Sequence, residues 1–330
     1  MKMTCNNNFI FEMLYILTVY SLFFDQSPIK ITGVSKKINV SNGHFFISNS
    51  CFQDLFENTN GGAISCFIDS KLVVFSCSFH NCSAIKAGGA ICFKTSNGEI
   101  VISNTKSSKC YDFSPENSNS FESGQFAYLK TGISGKNEVQ LTSITQCFYP
   151  SSVQYAAILL HQGVQRVSSF NSTRNVLSLY SGIRIVNANN GRASFCSFCD
   201  NHATDRICIK TYSGSISYES INIINNTQAF ESLGIVRHFS GTTTFQGAIF
   251  MKNSKKYLFA TNTGTLRITS CWILQEYLDL GGKTTFSNVI TSPTSTIEIS
   301  PIEDFDCMFA TKPIMSLFHS NLLLVYTVLM

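Results

Sequence analysis

The chain reads as an all-β protein, a single-stranded parallel β-helix of about eight or nine coils, from two recurrences and one pattern. Gly61-Gly62-Ala63-Ile64 and Gly88-Gly89-Ala90-Ile91 repeat four residues 27 positions apart. Gly98, Gly135, Gly163, Gly191, Gly214, Gly241 and Gly264 then follow at intervals of 37, 28, 28, 23, 27 and 23. Between these turns lie short runs that alternate apolar and polar residues, with no helical periodicity. Turns and strands recurring every 20 to 50 residues select a solenoid. A β-propeller is the alternative fold, but its blades need about 40 to 50 residues, nearly double the period seen.

Taken in order, residues 1–27 read as a secretory signal peptide or signal anchor, since Met13 to Phe24 forms an apolar stretch of twelve residues. Residues 35–305 form the β-helix domain. Each Gly-Gly-Ala-Ile copy is followed by an alternating run, Lys71 to Phe79 after the first and Glu99 to Asn104 after the second. Later coils show Gly182-Ile183-Arg184-Ile185, Arg206-Ile207-Cys208-Ile209-Lys210 and Leu233-Gly234-Ile235-Val236 ahead of turn dipeptides such as Asn190-Gly191 and Ser240-Gly241. Period-two facing predicts that Ile64, Cys66, Phe79, Ile91, Phe93, Ile183, Ile185, Phe198, Ile207 and Ile209 point inward. It leaves Arg184, Arg206 and Lys210 in solvent. The interval from Gly98 to Gly135 is about ten residues too long, and the surplus in Thr105 to Gly124 reads as an insertion bulging from the coil. Its Lys106, Lys109, Tyr111, Asp112, Glu116 and Asn117 form a candidate binding loop. Residues 306–330 are a hydrophobic tail, either a cap on the last coil or a membrane attachment.

The two Gly-Gly-Ala-Ile motifs, with Phe198-Cys199-Asp200-Asn201 in a Phe-x-x-Asn pattern, resemble the polymorphic outer membrane proteins of chlamydiae and the similar surface families of trichomonad protists. The resemblance spans roughly residues 40 to 300, with two coils keeping the full first motif and one the second. It implies a right-handed parallel β-helix, and a secreted or surface-displayed protein linked to adhesion.

Function classes narrow further on composition. Net charge is +4 with no run of either sign, which argues against a nucleic-acid partner. Four sequons, Asn39, Asn81, Asn171 and Asn225, suit a secretory route. Thirteen cysteines invite a disulfide reading, yet Cys77, Cys196 and Cys271 recur at one place after the second strand. There a thiol serves as a small core hydrophobe. A ladder of mostly unpaired core thiols is expected, with Cys66, Cys77 and Cys82 the candidates for any bond, since they share a coil. Cys196-x-x-Cys199 lacks the second pair a zinc site needs. No cofactor motif is present.

The competing class, a polysaccharide lyase or glycoside hydrolase, needs converging carboxylates. Asp200 and Asp205, with Arg206, are its best candidates, since Glu303, Asp304 and Asp306 fall after the last clear coil. The six histidines share no spacing. A non-enzymatic binding or adhesion module is therefore the expectation, secreted or at the cell surface, with a host-cell protein, glycan or matrix as partner.

Overall fold

Each coil contributes one strand to a 10-stranded sheet and strand segments to an 18-stranded sheet, with two small three-stranded sheets closing the section elsewhere. The computed structural model describes residues 23–24, 27–113, 123–147, 156–177, 180–203, 207–229, 234–253, 257–275, 278–280 and 283–291. Strands run from Ile29–Thr32 to Ile290–Thr291, and each pairs in parallel with the equivalent strand one coil away. The structure is thus a parallel β-helix, which excludes the β-propeller. Ile64–Cys66 pairs with Ile91–Lys94 through Ile64↔Ile91 and Cys66↔Phe93, so the two Gly-Gly-Ala-Ile copies are consecutive rungs.

The glycines of that motif are required by backbone proximity. Gly61 and Gly88 sit at φ 63° and 64°, in the left-handed region. A Cβ on Gly62 would lie 2.4 Å from the Gly89 carbonyl oxygen. The single-turn glycines stack less uniformly than their spacing suggests. Gly214 and Gly241 are neighbours, with a Cβ on Gly241 falling 2.2 Å from the Gly214 oxygen. Gly191 is not at the turn: it lies inside the strand Ala188–Ser194, paired with Ile216, whose side chain a Cβ there would strike at 2.5 Å. Its smallness serves packing in that strand.

Two corners bend the long sheet, and the left-handed conformation at each is held almost wholly by residues other than glycine. The first corner is taken by Asn49, Ser76, Asn104, Leu141, Ser169, Phe195, Ser220, Gly247, Ser270 and Asn288, all at φ between 47° and 62°. The second is taken by Asp54, Asn81, Lys109, Gln146, Arg174, Asp200, Asn225 and Lys252. Single left-handed residues are costly away from glycine, Asn and Asp, so the corners are imposed by the coil's own closure rather than chosen locally.

Inward columns build one continuous core. Ile38, Ile64, Ile91, Ala127, Ile158, Ile183, Ile209, Val236 and Phe259 follow one another in register. Phe79 stacks on Phe52 with ring centroids 4.9 Å apart. Ile64, Cys66, Phe79, Ile91, Phe93, Ile183, Ile185, Phe198 and Ile209 are buried as expected, while the side chains of Ile207 and Arg206 lie outside the described residues.

The expectation of solvent exposure at Arg184 and Lys210 is corrected: they are only 4% and 6% exposed. Both face outward, but so do Cys92, Tyr128 and Leu159 in the same column, and those too are buried. Alternation decides which side of a sheet a residue takes, not whether that side meets water. The outer face of the long sheet shows the same effect, where Phe23 and Phe24 pack with outward-facing Phe46, Val73, Phe75 and Val101.

A polar column runs through the second half of the core. Asn175, Asn201, Asn226 and Asn253 are buried, and each Nδ2 donates to the Oδ1 of the next at 3.0 Å, ending on Gln275 Oε1. The same oxygens accept the backbone N–H of the preceding coil at 3.1, 3.1, 3.0 and 2.8 Å. Each carboxamide therefore satisfies a buried donor that would otherwise carry a desolvation cost. This is what the Asn of Phe-x-x-Asn does: Phe198 fills the core, Asp200 makes the corner and Asn201 joins the column. Phe250-Met251-Lys252-Asn253 is a second strict copy of the motif.

Two substitutions test this packing by denaturant unfolding. Phe79→Ala is expected to cost about 3 to 5 kcal/mol, the usual range for a fully buried ring. Asn226→Leu, similar in volume, strands the Asn201 N–H and carboxamide, and is expected to cost about 2 to 3 kcal/mol.

Candidate binding face

The outer face of the 10-stranded sheet carries two parallel columns of outward-facing side chains. The first runs Cys92, Tyr128, Leu159, Arg184, Lys210, Arg237 and Ala260. Two residues further along each strand, and so on the same side, lies a second column that begins Lys94, Lys130, His161 and Val186. Tyr212 and Phe239 continue it, placed by the N–H of Tyr212 on the Ile185 oxygen and that of Phe239 on the Thr211 oxygen, both at 2.9 Å. Among the described residues no acidic side chain occupies either column.

Register makes the far end of this face an aromatic shelf. The Tyr212 and Phe239 rings are stacked 4.8 Å apart and 6° from parallel. Lys210 Nζ lies 5.5 Å from the Tyr212 ring centroid, and Arg237 Cζ 5.9 Å from that of Phe239, within cation–π range. Tyr212 is 38% exposed. From the next coil, Ser240 Oγ donates to the Tyr212 carbonyl at 3.0 Å and Thr263 Oγ1 to the Phe239 carbonyl at 3.1 Å. The shelf is thus braced from behind. Lys94 and Tyr212 are exposed and Lys130, His161, Arg237 and Phe239 half-buried, whereas Cys92, Tyr128, Leu159, Arg184, Lys210 and Val186 are covered, so the accessible charge and ring surface lie in the second column and at Arg237.

The described residues among those expected to form a site lie as follows. The strands Glu99–Ser108 and Tyr111–Asp112 pair with both neighbouring coils or with the preceding one, so Lys106 and Lys109 belong to the coil wall rather than to an inserted loop. Lys109 is a corner residue, and Tyr111 packs edge-on to Phe113. Asp112 is fully buried, accepting from Ser123 Oγ at 2.7 and 2.8 Å and from Gln125 Nε2 at 2.9 Å. A carboxylate held this way braces the coil and is not offered to a ligand. Glu116 and Asn117 lie outside the described residues.

Asp200 is an exposed corner residue that accepts from Asn225 Nδ2 at 2.6 Å, the equivalent corner one coil on. Asp205 and Arg206 lie outside the described residues, as do Glu303, Asp304, Asp306, Cys5, most of the signal segment and the whole tail. Of the sequons, Asn39 and Asn225 are exposed, Asn81 is half-buried and donates to Asp54 at 2.7 Å, and Asn171 is only 7% exposed.

None of the described cysteines is in a disulfide. Cys196 and Cys199 do not form a pair: Cys196 Sγ donates to the Ser194 carbonyl at 3.3 Å, while Cys199 Sγ lies 3.2 Å from Ser197 Oγ. Burial pushes these thiols up to about 12 and about 11. Cys66, Cys77 and Cys82 do not meet as one group either. Cys66 stacks between Val40 and Phe93, and its thiol donates to the Ile68 carbonyl at 3.3 Å. No group of three or more His, Cys, Asp or Glu side chains suited to a metal ion occurs among the described residues.

No family model matches the chain, and no curated protein matches it. Among solved structures it is similar to a double mutant of the periplasmic alginate epimerase AlgG. Identity is 10%, over 80% of this chain and 76% of that one, with a TM-score of 0.30.

One histidine does take a special setting. His238 occupies an inward column and is fully buried, with Nδ1 2.9 Å from Thr243 Oγ1. Burial lowers its pKa from 6.5. The unfolded chain binds this proton near pH 6.5 and the folded chain only at lower pH, so stability is lost as pH falls from about 6.5 through the lowered value. His238→Gln is expected to flatten the decline in unfolding midpoint between pH 7.5 and pH 5 and to leave behaviour above pH 7.5 unchanged.

Proposed function

We propose that the protein is an extracytoplasmic binding and adhesion module that holds an extended, negatively charged glycan along the outer face of the 10-stranded sheet. The observation that supports this most directly is the braced Tyr212–Phe239 shelf beside Arg237, with Lys94, Lys130 and His161 further along the same column. Aromatic faces lie against the apolar C–H surface of a sugar ring, and cations attract carboxylate or sulfate groups. Repetition at one rung per strand suits a polymer, since many weak contacts add avidity without a deep pocket. The resemblance to adhesion-linked surface families and the signal-like N-terminus support the location. Binding without turnover is the reading, because a lyase or hydrolase would need converging carboxylates, and Asp200 is engaged with the neighbouring corner.

The test is to titrate the full chain with uronate-containing, sulfated and neutral polysaccharides and to follow sugar release in the same samples. Saturable binding to the acidic polymers is expected, weakened by salt and reduced roughly tenfold or more by Tyr212→Ala combined with Arg237→Ala. Equal binding to neutral polymers, or binding indifferent to the double variant, would overturn the reading. Release of unsaturated or reducing sugars, lost in Asp200→Ala, would replace it with an enzyme.

A further inference from the structure

The polar column of asparagines has a different composition in the coils that precede it. Continued backward, the positions of Asn201 and Asn175 become Cys147, Cys110, Cys82 and Leu55. The Cys147 N–H donates to Asn175 Oδ1 at 2.9 Å, the Tyr111 N–H to the Cys82 oxygen at 3.1 Å, and the Ser83 N–H to the Leu55 oxygen at 2.7 Å. Three consecutive coils therefore place a cysteine at one inward position, and all three are fully buried.

Their side chains also point the same way. Each thiol donates to the carbonyl two residues before it, Cys82 to His80 at 3.5 Å, Cys110 to Ser108 at 3.4 Å and Cys147 to Thr145 at 3.7 Å. Identical orientation on in-register strands stacks the sulfurs. The neighbouring Cys110 thiol together with burial raises the pKa of Cys82. Strand spacing of about 4.8 Å falls inside the Cα separation of about 4.4 to 6.8 Å that a disulfide spans.

None of the other cysteines in paired strand positions has this setting. Cys77 lies between the levels of Ser50 and Thr105, Cys92 pairs with Ser65 and Tyr128, and Cys199 pairs with Thr173 and Ile224.

We propose that Cys82 and Cys110 form a coil-to-coil disulfide site, with Cys147 the alternative partner of Cys110. Formation of the bond removes one proton from each thiol and two electrons from the pair. An external disulfide such as oxidised glutathione takes those electrons, its S–S bond breaking to two thiols. The exchange passes through a mixed disulfide and takes place before the coils close, since the finished core buries all three sulfurs. The central position of Cys110 has a consequence: the column holds one bridge and one thiol, and every bridge includes Cys110.

The full chain, folded in a graded glutathione buffer, is alkylated before and after denaturation and mapped under non-reducing conditions. A Cys82–Cys110 peptide is expected, with Cys147 alkylated only after denaturation. Reductant is expected to lower Tm by about 5 °C or more. Cys82→Ala should move the bridge to Cys110–Cys147, and Cys110→Ala should abolish both. Cys77→Ala, which alters a buried thiol outside the column, should keep the bridge and the reductant response. Recovery of Cys110 as a free thiol in the wild-type chain at every glutathione ratio would overturn the proposal. So would its pairing with any cysteine other than Cys82 or Cys147, and neither result depends on a variant folding.

Discussion

In-register pairing of parallel strands sets each residue against its counterpart one coil away, at about 4.8 Å, so a column accepts only side chains that tolerate such neighbours. Branched aliphatics stack in this way along Ile38, Ile64 and Ile91, and flat rings do so at Phe52 and Phe79. Carboxamides go further, because each is both donor and acceptor and can satisfy the next without a break. Charges of one sign tolerate it least, which makes Arg184, Lys210 and Arg237 in one column a costly arrangement. Aromatic faces beside Lys210 and Arg237 offset part of that cost.

Register in turn depends on the corners. A coil that closed one residue late would send its strand's inward side chains to the outer face. The left-handed corner residues prevent this by turning the chain at the same place in each coil, from Asp54 and Asn81 to Asn225 and Lys252. Side chains at the second corner add bonds of their own, as Asn81 to Asp54 and Asn225 to Asp200. The Asp200 carboxylate is best understood as part of this turn chemistry.

Much of the fold was legible because Gly62 and Gly89 tolerate no Cβ and because alternation sets facing directly. The corners were hidden, since Leu141, Phe195 and Arg174 adopt left-handed backbone that their residue types do not advertise. Burial of Arg184 and Lys210 was hidden for another reason: a sequence pattern records which side a residue takes and not what lies over that side. The thiol column was readable in principle. Cys82, Cys110 and Cys147 are spaced by 28 and 37 residues, and the second interval is the same 37 that separates Gly98 from Gly135. Grouping cysteines by coil rather than by position within the coil concealed it. The proposed binding face is likewise a product of register, as Lys94, Lys130, His161, Tyr212 and Phe239 are scattered along the chain.

The change from sulfur to carboxamide in one column also governs how such a chain can be lengthened or shortened. A whole coil is the natural unit of insertion or loss. Excising residues 201–225 would seat Asn226 against Asn175 and leave the run of carboxamides continuous. A carboxamide coil transplanted between Cys82 and Cys110 would still accept the backbone N–H behind it, as Asn175 accepts that of Cys147, but would find no side-chain oxygen ahead of its Nδ2. The two halves of the solenoid are therefore separately extensible, each by copies of its own kind, and recombination between them is penalised at this one position.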